Sequence, residues 1–239
     1  MYQQIVDTYG VPSYKEINPA IYACVTFPFL FGMMFGDMGH GGTLFLFSAF
    51  LVMFEPKLRG GAMNDFLYLR YILLLMGFFA FYCGFMYNDF VSIPIHFFES
   101  CYDTETGKKL PGNKYCVYPA GIDSVWAISN QEITFSNSLK MKMAVIFGVA
   151  HMSLGIFQKG FNALHHRNFV DFFNEFIPQI VLLLALFGYM DVIIIKKWLT
   201  DYSGKEHEAP SIISTMVGIF LNGGKVDGRE FFPNNKLIH

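Results

Sequence analysis

The feature that most constrains this chain is its series of long apolar runs, each interrupted by only a few ionisable residues. A helix that crosses a bilayer needs about 20 predominantly apolar residues. Only 15% of the residues are charged, against roughly 25% in an ordinary soluble domain, whereas 53% are hydrophobic and 18% aromatic. So little charge excludes a soluble globule, and so apolar a composition excludes disorder. The sequence therefore predicts an all-α polytopic membrane helical bundle of about five transmembrane helices.

The first apolar run covers residues 20–54 and is broken only by Asp37 and His40. As one helix it would be about 52 Å long, which is too long for a single crossing without extreme tilt. We therefore predict a transmembrane hairpin over 18–54, in which four glycines at 36–42 permit a tight turn and close helix approach. Its two short crossings would cover 18–36 and 40–54. The alternative is one long tilted helix, which would reverse the topology of everything after it.

The rest of the chain alternates between apolar and polar segments. Further crossings are predicted over 67–91, 138–163 and 172–199. Polar segments are predicted over 1–17, 55–66, 92–137, 164–171 and 200–239, the last with a short interfacial helix over 211–221. Loop lysines and arginines alone would place the N-terminus on the lumenal side. Residues 1–19 are polar and lack a basic n-region, so we do not expect them to be a secretory signal peptide.

Several classes of function find no support in the sequence. The 17 basic and 19 acidic residues give a formal charge of −2, which argues against a nucleic-acid partner. No motif for binding or hydrolysing a nucleotide is present, and no spacing of ligands predicts a metal site or a cofactor. Cys101 and Cys116 share one polar loop, where an oxidising lumen would let them form a disulfide. The alternative is two free thiols.

Ionisable residues at membrane depth are costly and are therefore functional candidates. Asp37 and His40 are three residues apart and would share one side of a helix, as candidates for a proton path. The alternative is that Asp37 caps a helix N-terminus and His40 hydrogen-bonds a carbonyl group.

Asp89 ends the third crossing and is the other candidate for the proton path, as a carboxylate lining a water-filled entry. The alternative is an interfacial carboxylate or cap. Lys140 starts the next crossing on the same side of the membrane, so an Asp89–Lys140 pair is plausible, and Lys140, Lys142 and Glu55 are predicted supporting charges. Lys159 is expected to extend its amine to the membrane interface.

Several motifs, in order along nearly all of the chain, resemble one membrane protein family. They are YKEINP at 14–19, TFPFLF at 26–31, MFGDMGHG at 34–41, YND at 87–89, GID at 121–123, FSNSLKMK at 135–142 and NEFIP at 174–178. Together they resemble the membrane part of subunit a of the vacuolar-type proton ATPase.

The resemblance implies a non-catalytic stator subunit of a rotary proton pump, beside a ring of proteolipid subunits that each carry a membrane carboxylate. Further implied partners are lipid and the other membrane-sector and peripheral-stalk subunits, with ATP hydrolysis elsewhere in the complex. It implies a cytosolic N-terminus, lumenal segments at 92–137 and 200–239, and a location in acidic endomembrane compartments. The family's N-terminal domain would precede residue 1 and its ring-facing arginine would follow residue 239, so we expect a central fragment.

Residue by residue, the resemblance matches Asp37 and Asp89 to acidic positions of the lumenal half-channel and Lys140 to a charged position that supports the membrane domain. Asp191 and Lys159 depart from the family pattern. Two other classes of function remain as alternatives. A secondary transporter or channel would be expected to contain inverted repeats, and none is evident. A structural membrane scaffold would use every buried charge for packing.

Overall fold

The computed structural model describes residues 1–58, 64–95, 97–100, 102, 118–128 and 132–200, together with 211, 212, 215, 216 and 218. Within these residues the regular structure is helical, with isolated β-bridge positions at Phe90 and Ile93, which pair with each other, and at Tyr102. The predicted all-α class is therefore confirmed. The α-helices are α1 (Tyr2–Asp7), α2 (Ala20–Met34), α3 (Met38–Met53), α4 (Glu55–Leu58), α5 (Asn64–Tyr87), α6 (Glu132–His165), α7 (Phe169–Asp171), α8 (Ile177–Leu183) and α9 (Tyr189–Leu199).

In the part of the chain that the structure describes, three helical stretches are long and apolar enough to cross a membrane: Phe66–Tyr87, Phe135–His165 and Phe169–Leu199. Helices α2 and α3 are shorter apolar helices of 15 and 16 residues. Large apolar side chains such as Ile21 and Leu46 are exposed on them. An outward-facing apolar surface suits a lipid environment, so a helical membrane bundle is consistent with the structure.

The chain divides into two compact units, Met1–Gly148 and Val149–His239, and the boundary lies within α6. In the first unit α2 and α3 both pack on α5. Helix α2 runs parallel to α5, since the Phe29 ring meets Phe79 and, further along, the Tyr87 hydroxyl donates to the Met33 carbonyl. Burial of Tyr2 near α2, with the neighbouring Cys24, raises the pKa of the Tyr2 hydroxyl to about 12.

Helix α3 runs antiparallel to α5, and small residues let the two backbones approach closely. An ideal Cβ built on Gly41 would lie 2.5 Å from the Phe81 nitrogen, and one on Gly77 would lie 2.6 Å from the Phe45 nitrogen. Between these contacts Ala80 is completely buried. The close packing fixes where along α5 the N-terminus of α3 is placed.

Helix α5 ends earlier than the predicted crossing, which extended to residue 91. Asn88 adopts a positive φ of 54°, and its N–H bonds to the Phe85 carbonyl while the Asp89 N–H bonds to the Gly84 carbonyl. This pair of bonds is a Schellman motif, in which asparagine tolerates the left-handed position. The chain therefore leaves the helix at Asn88, and Asp89 lies just beyond its end.

The hairpin turn between α2 and α3 is also shorter than predicted. It occupies residues 35–37 rather than 36–42, because Asp37 caps α3 and helical geometry begins at Met38. Two further predictions lie wholly or largely outside the described residues. Cys101 and Cys116 are not described, and of the predicted interfacial helix only part is, with the Thr215 N–H bonded to the Ser211 carbonyl.

In the second unit the last span contains two π-helical segments, Phe172–Phe176 and Leu184–Gly188. Pro178 follows the first of them and has no N–H to donate to the preceding turn, which favours a widened helix there. The Phe176 ring of this segment lies against Gly160 of α6. These contacts pack the start of the last span against the end of α6.

Lys159 does not simply extend to the membrane interface, because its amine pairs with the Glu175 carboxylate. Both side chains are about half exposed, so solvent screens the pair. We expect Lys159→Ala to change the free energy of unfolding by less than about 1 kcal/mol. Thermal unfolding of the detergent-solubilised protein would measure it, and a large loss of stability would mean that the pair is far better shielded than its exposure indicates.

Candidate functional site

Asp37 is the N-cap residue of α3. Its backbone is extended, with φ −142° and ψ 128°, and its Oδ1 accepts a hydrogen bond of 2.9 Å from the Gly39 N–H. A carboxylate at this position satisfies one of the free N–H groups of the first helical turn and interacts favourably with the helix dipole. Asp37 therefore has the geometry of a helix N-cap, as the alternative interpretation predicted.

The same carboxylate reaches two further groups. Oδ1 also accepts a hydrogen bond of 2.9 Å from the Val91 N–H, and Oδ2 pairs with Nδ1 of His40. The Asp37 side chain is 16% exposed and that of His40 is 60% exposed. The capping alternative predicted that His40 bonds a carbonyl group. This prediction is wrong, because the His40 ring pairs with the Asp37 carboxylate itself.

Asp89 lies beside Asp37 at the junction of α3 and α5. Its carbonyl oxygen accepts a hydrogen bond of 2.9 Å from the N–H of Met38, the first residue of α3. Its side-chain Oδ1 accepts one of 2.9 Å from the Ser92 N–H, and its Oδ2 accepts one of 3.2 Å from Nζ of Lys140. The ion pair that the sequence made plausible is therefore present.

Lys140 also lies over the Tyr87 ring, with its Nζ 5.0 Å from the ring centroid. The lysine and aspartate side chains of the pair are 23% and 28% exposed, so both are mostly shielded from solvent. A cation close to the C-terminal end of α5 also complements the negative end of that helix's dipole. Lys140 thus stabilises both Asp89 and the helix end from which Asp89 emerges.

A four-residue turn over 90–93, called here the 90–93 turn, connects the two carboxylates. Its ends are joined by a hydrogen bond of 3.2 Å from the Phe90 N–H to the Ile93 carbonyl and one of 2.9 Å in the reverse direction. The central residues Val91 and Ser92 both have positive φ, 53° and 64°. Their adjacent N–H groups donate to different acids, that of Val91 to Asp37 and that of Ser92 to Asp89.

The segment 118–128 closes the same helix end from another side. The Ile122 N–H donates to the Met86 carbonyl at 3.0 Å, and the Ile122 carbonyl accepts from the Asn88 side chain at 3.3 Å. Gly121, with φ 75°, has its Cα close to that Met86 carbonyl, where a Cβ would clash. Polar groups freed at the end of α5 are thus satisfied in a region surrounded by apolar helices.

Asp37 and Asp89 differ in the side chain with which each Oδ2 pairs. Asp37 Oδ2 pairs with the imidazole of His40. Asp89 Oδ2 pairs with the ammonium group of Lys140. The arrangement therefore places a carboxylate–imidazole pair and a carboxylate–ammonium pair beside one turn.

The other predicted charges are not part of this cluster. Glu55 pairs with Arg70 at 3.0 Å, at the opposite end of α5. Lys142 lies two residues beyond Lys140 and so on a different face of α6. Asp191 lies on α9 in the second unit, where its Oδ1 is buried with no hydrogen-bond partner among the described residues. Those residues also contain no group of three or more histidine, cysteine or acidic side chains that could hold a metal.

The residues that connect the site were not identified from the sequence. Val91 and Ser92 donate through their backbone, which leaves no side-chain signal. Asn88 had a usable signal, since asparagine directly after an apolar helix is common at a left-handed C-terminal position.

Comparison with known proteins identifies the family to which the chain is similar. The family model described as "V-type ATPase 116kDa subunit family" matches residues 1–239. The "Vacuolar proton translocating ATPase 100 kDa subunit" of Dictyostelium discoideum is 40% identical over 249 residues, covering 99% of this chain and 31% of that protein. The "V-type proton ATPase subunit a3" of Arabidopsis thaliana is 39% identical, with 99% of this chain and 30% of that protein covered.

A third relative, the "V-type proton ATPase subunit a, Golgi isoform" of Saccharomyces cerevisiae, is 38% identical, with 99% of this chain and 27% of that protein covered. The chain therefore spans less than a third of the length of these relatives. The similarity extends over the whole chain and includes the segments that build the cluster around Asp37 and Asp89. The resemblance seen in the sequence is confirmed, and the chain belongs to the V-type ATPase 116 kDa subunit family.

Proposed function

We propose that this chain is part of the membrane-embedded stator of a rotary V-type proton pump and contributes Asp37, His40 and Asp89 to the lumenal proton half-channel. One observation supports the proposal above all. A single turn at the end of three apolar helices bonds two carboxylates, and these carboxylates pair in turn with an imidazole and a lysine. A structural cap needs only one carboxylate, whereas a proton path needs groups that exchange protons within reach of each other and of water.

The exposure of the side chains supports a path that opens to solvent. His40 is mostly exposed while Asp37 is mostly shielded, so the imidazole can carry protons between water and the carboxylate. Lys140 holds Asp89 in an ion pair next to this entry. In this role Asp37 and His40 are the groups that exchange protons, and the Asp89–Lys140 pair holds the local charge and geometry.

Family membership supports the rest of the proposal. The partners are the carboxylate-bearing proteolipid ring, the other membrane-sector and stalk subunits, and lipid. ATP hydrolysis takes place in other subunits, so the chain is not an enzyme by itself. In this proposal the 92–137 loop belongs to the lumenal side of an acidic endomembrane compartment, and the 55–66 loop belongs to the cytosolic side.

The test is Asp37→Asn in the full-length subunit. The amide oxygen retains an acceptor at the Oδ1 position for the Gly39 and Val91 N–H groups, so the cap persists, while the group can no longer take up a proton. We expect ATP-driven proton pumping by assembled complexes to fall roughly tenfold or more. Acidification of vesicles would be measured against the amount of assembled complex.

Asp37→Ala is the matched variant, because it removes both the acceptor and the charge. We expect it to reduce assembly as well as pumping. Normal pumping by Asp37→Asn together with poor assembly of Asp37→Ala would contradict the proton-path role. It would instead support the scaffold alternative, in which Asp37 acts only as a cap.

A further inference from the structure

We infer that the 90–93 turn is the positioning element of the cluster, with Val91 and Ser92 as positioning residues that hold Asp37 and Asp89 at a fixed separation. The inference rests on the proposed function of the two acids, but its structural part can be measured without any pumping assay. It assigns a role to the backbone N–H groups of the turn rather than to its side chains.

The first argument is the use of the carboxylate oxygens. Asp37 and Asp89 each use Oδ1 to accept an N–H of the turn, from Val91 and Ser92 respectively. Each leaves Oδ2 for a side chain, His40 in one case and Lys140 in the other. Since the two N–H groups belong to adjacent residues, a movement of the turn displaces both carboxylates together.

The second argument is that the turn is poorly suited to form alone. Positive φ at both central residues is the geometry of a type I′ turn, which strongly favours Asn-Gly and similar pairs. Val91 is β-branched, and a β-branched residue with positive φ is a conformational outlier. Such a conformation persists only where its surroundings impose it, and here the two carboxylates provide that constraint.

The third argument is the tight fit of the turn against α3. A Cβ built on Gly39 would lie 2.3 Å from Cγ2 of Val91, so the valine side chain occupies the space that the glycine leaves. The Met38 N–H donates in turn to the Asp89 carbonyl. The turn is thus held between the start of α3 and the end of α5 and cannot shift without moving one of them.

Hydrogen exchange of the turn amides, measured by mass spectrometry on the purified assembled complex, tests the positioning. We expect Asp37→Ala to speed exchange across 90–93 by roughly tenfold, the factor expected for losing a hydrogen bond to a charged acceptor. Asp37→Asn should leave exchange near that of the unaltered protein, because its amide oxygen still accepts. Glu175→Ala, in the second unit, serves as the control that leaves the turn unaffected.

A turn that is stable by itself should no longer need the carboxylates. In the double variant Val91→Asn and Ser92→Gly, which carries a favoured type I′ sequence, Asp37→Ala should raise exchange by less than about threefold. If Asp37→Ala left exchange unchanged, or raised it equally in both backgrounds, the inference would be overturned whatever the pumping results are.

The functional part is tested by inserting one glycine between Val91 and Ser92, which separates the two N–H groups. We expect the midpoint of pumping against lumenal pH to move upward by roughly half a unit or more, because a carboxylate that loses an N–H donor binds its proton more tightly. An unchanged midpoint in complexes assembled to the normal level would overturn the positioning role. A failed proposed function is recognised separately, by normal pumping in Asp37→Asn.

Discussion

Gly84→Ala is expected to remove about 3 kcal/mol of stability from the first unit, and it is the substitution with the largest effect that we expect. A Cβ on Gly84 would lie 2.3 Å from the Met38 nitrogen and 2.4 Å from the Asp37 carbonyl carbon. These are backbone atoms and cannot rotate away. The backbone there is also held by the bond from the Met38 N–H to the Asp89 carbonyl, so relief of the clash would break the junction of α3 and α5.

The matched control is Gly148→Ala on α6, where a Cβ would meet nothing within 4 Å. Because alanine is the better helix former, this variant should be neutral or slightly more stable. Thermal unfolding in detergent and the amount of assembled complex on membranes would compare the two. Equal stability of both variants would contradict the close approach of α3 to α5.

Lys140→Met is expected to cost about 2 to 3 kcal/mol, because it leaves the largely shielded Oδ2 of Asp89 without its cation. Methionine keeps an unbranched apolar side chain at this position, so the loss reports the charge, including its contact with the Tyr87 ring, rather than the packing. We expect assembled complexes to pump poorly as well, since Asp89 then reorients toward water. Unfolding of the solubilised protein and vesicle acidification would be measured on the same preparations.

The double variant Asp89→Asn with Lys140→Met distinguishes a pair from two independent effects. If the charges act on each other, removing both should cost at least about 1 kcal/mol less than the sum of the single losses. Strict additivity would mean that Lys140 stabilises the helix end without depending on Asp89. Glu55→Gln, which alters an ion pair at the opposite end of α5, should be additive with either change.

The sequence predicts the positions of helices well, because apolar runs of sufficient length must be helical in lipid. It predicts the ends of helices less well, because individual capping residues determine where a helix begins or ends. The apolar runs over 67–91, 138–163 and 172–199 overlap the long helical stretches of the described residues, because a bilayer requires a minimum length whatever the neighbours are. The ends at Asp37 and Asn88 differ from expectation because a cap and a left-handed residue set them, and both lie within otherwise apolar surroundings. An apolar run alone does not contain this information.

The candidate site divides in the same way. Asp37 and His40 could be paired from their spacing of three residues, and Asp89 and Lys140 from their place at the same side of neighbouring crossings. The 90–93 turn that joins the two pairs could not be predicted, because Val-Ser is an unfavourable sequence for its geometry. It forms because tertiary contacts from two acids outweigh the local preference.

The two π-helical segments of the last span alter what an insertion or deletion would do there. A π-helical turn contains one residue more than the α-helical turn it replaces, so loss of one residue from Leu184–Gly188 would restore an ordinary α-helix without moving the following residues around the axis. The same loss in α3 would turn Gly41 away from α5 by about 100°. In the course of evolution this part of the last span can therefore change its length by one residue, whereas α3, whose Gly41 lies against α5, cannot.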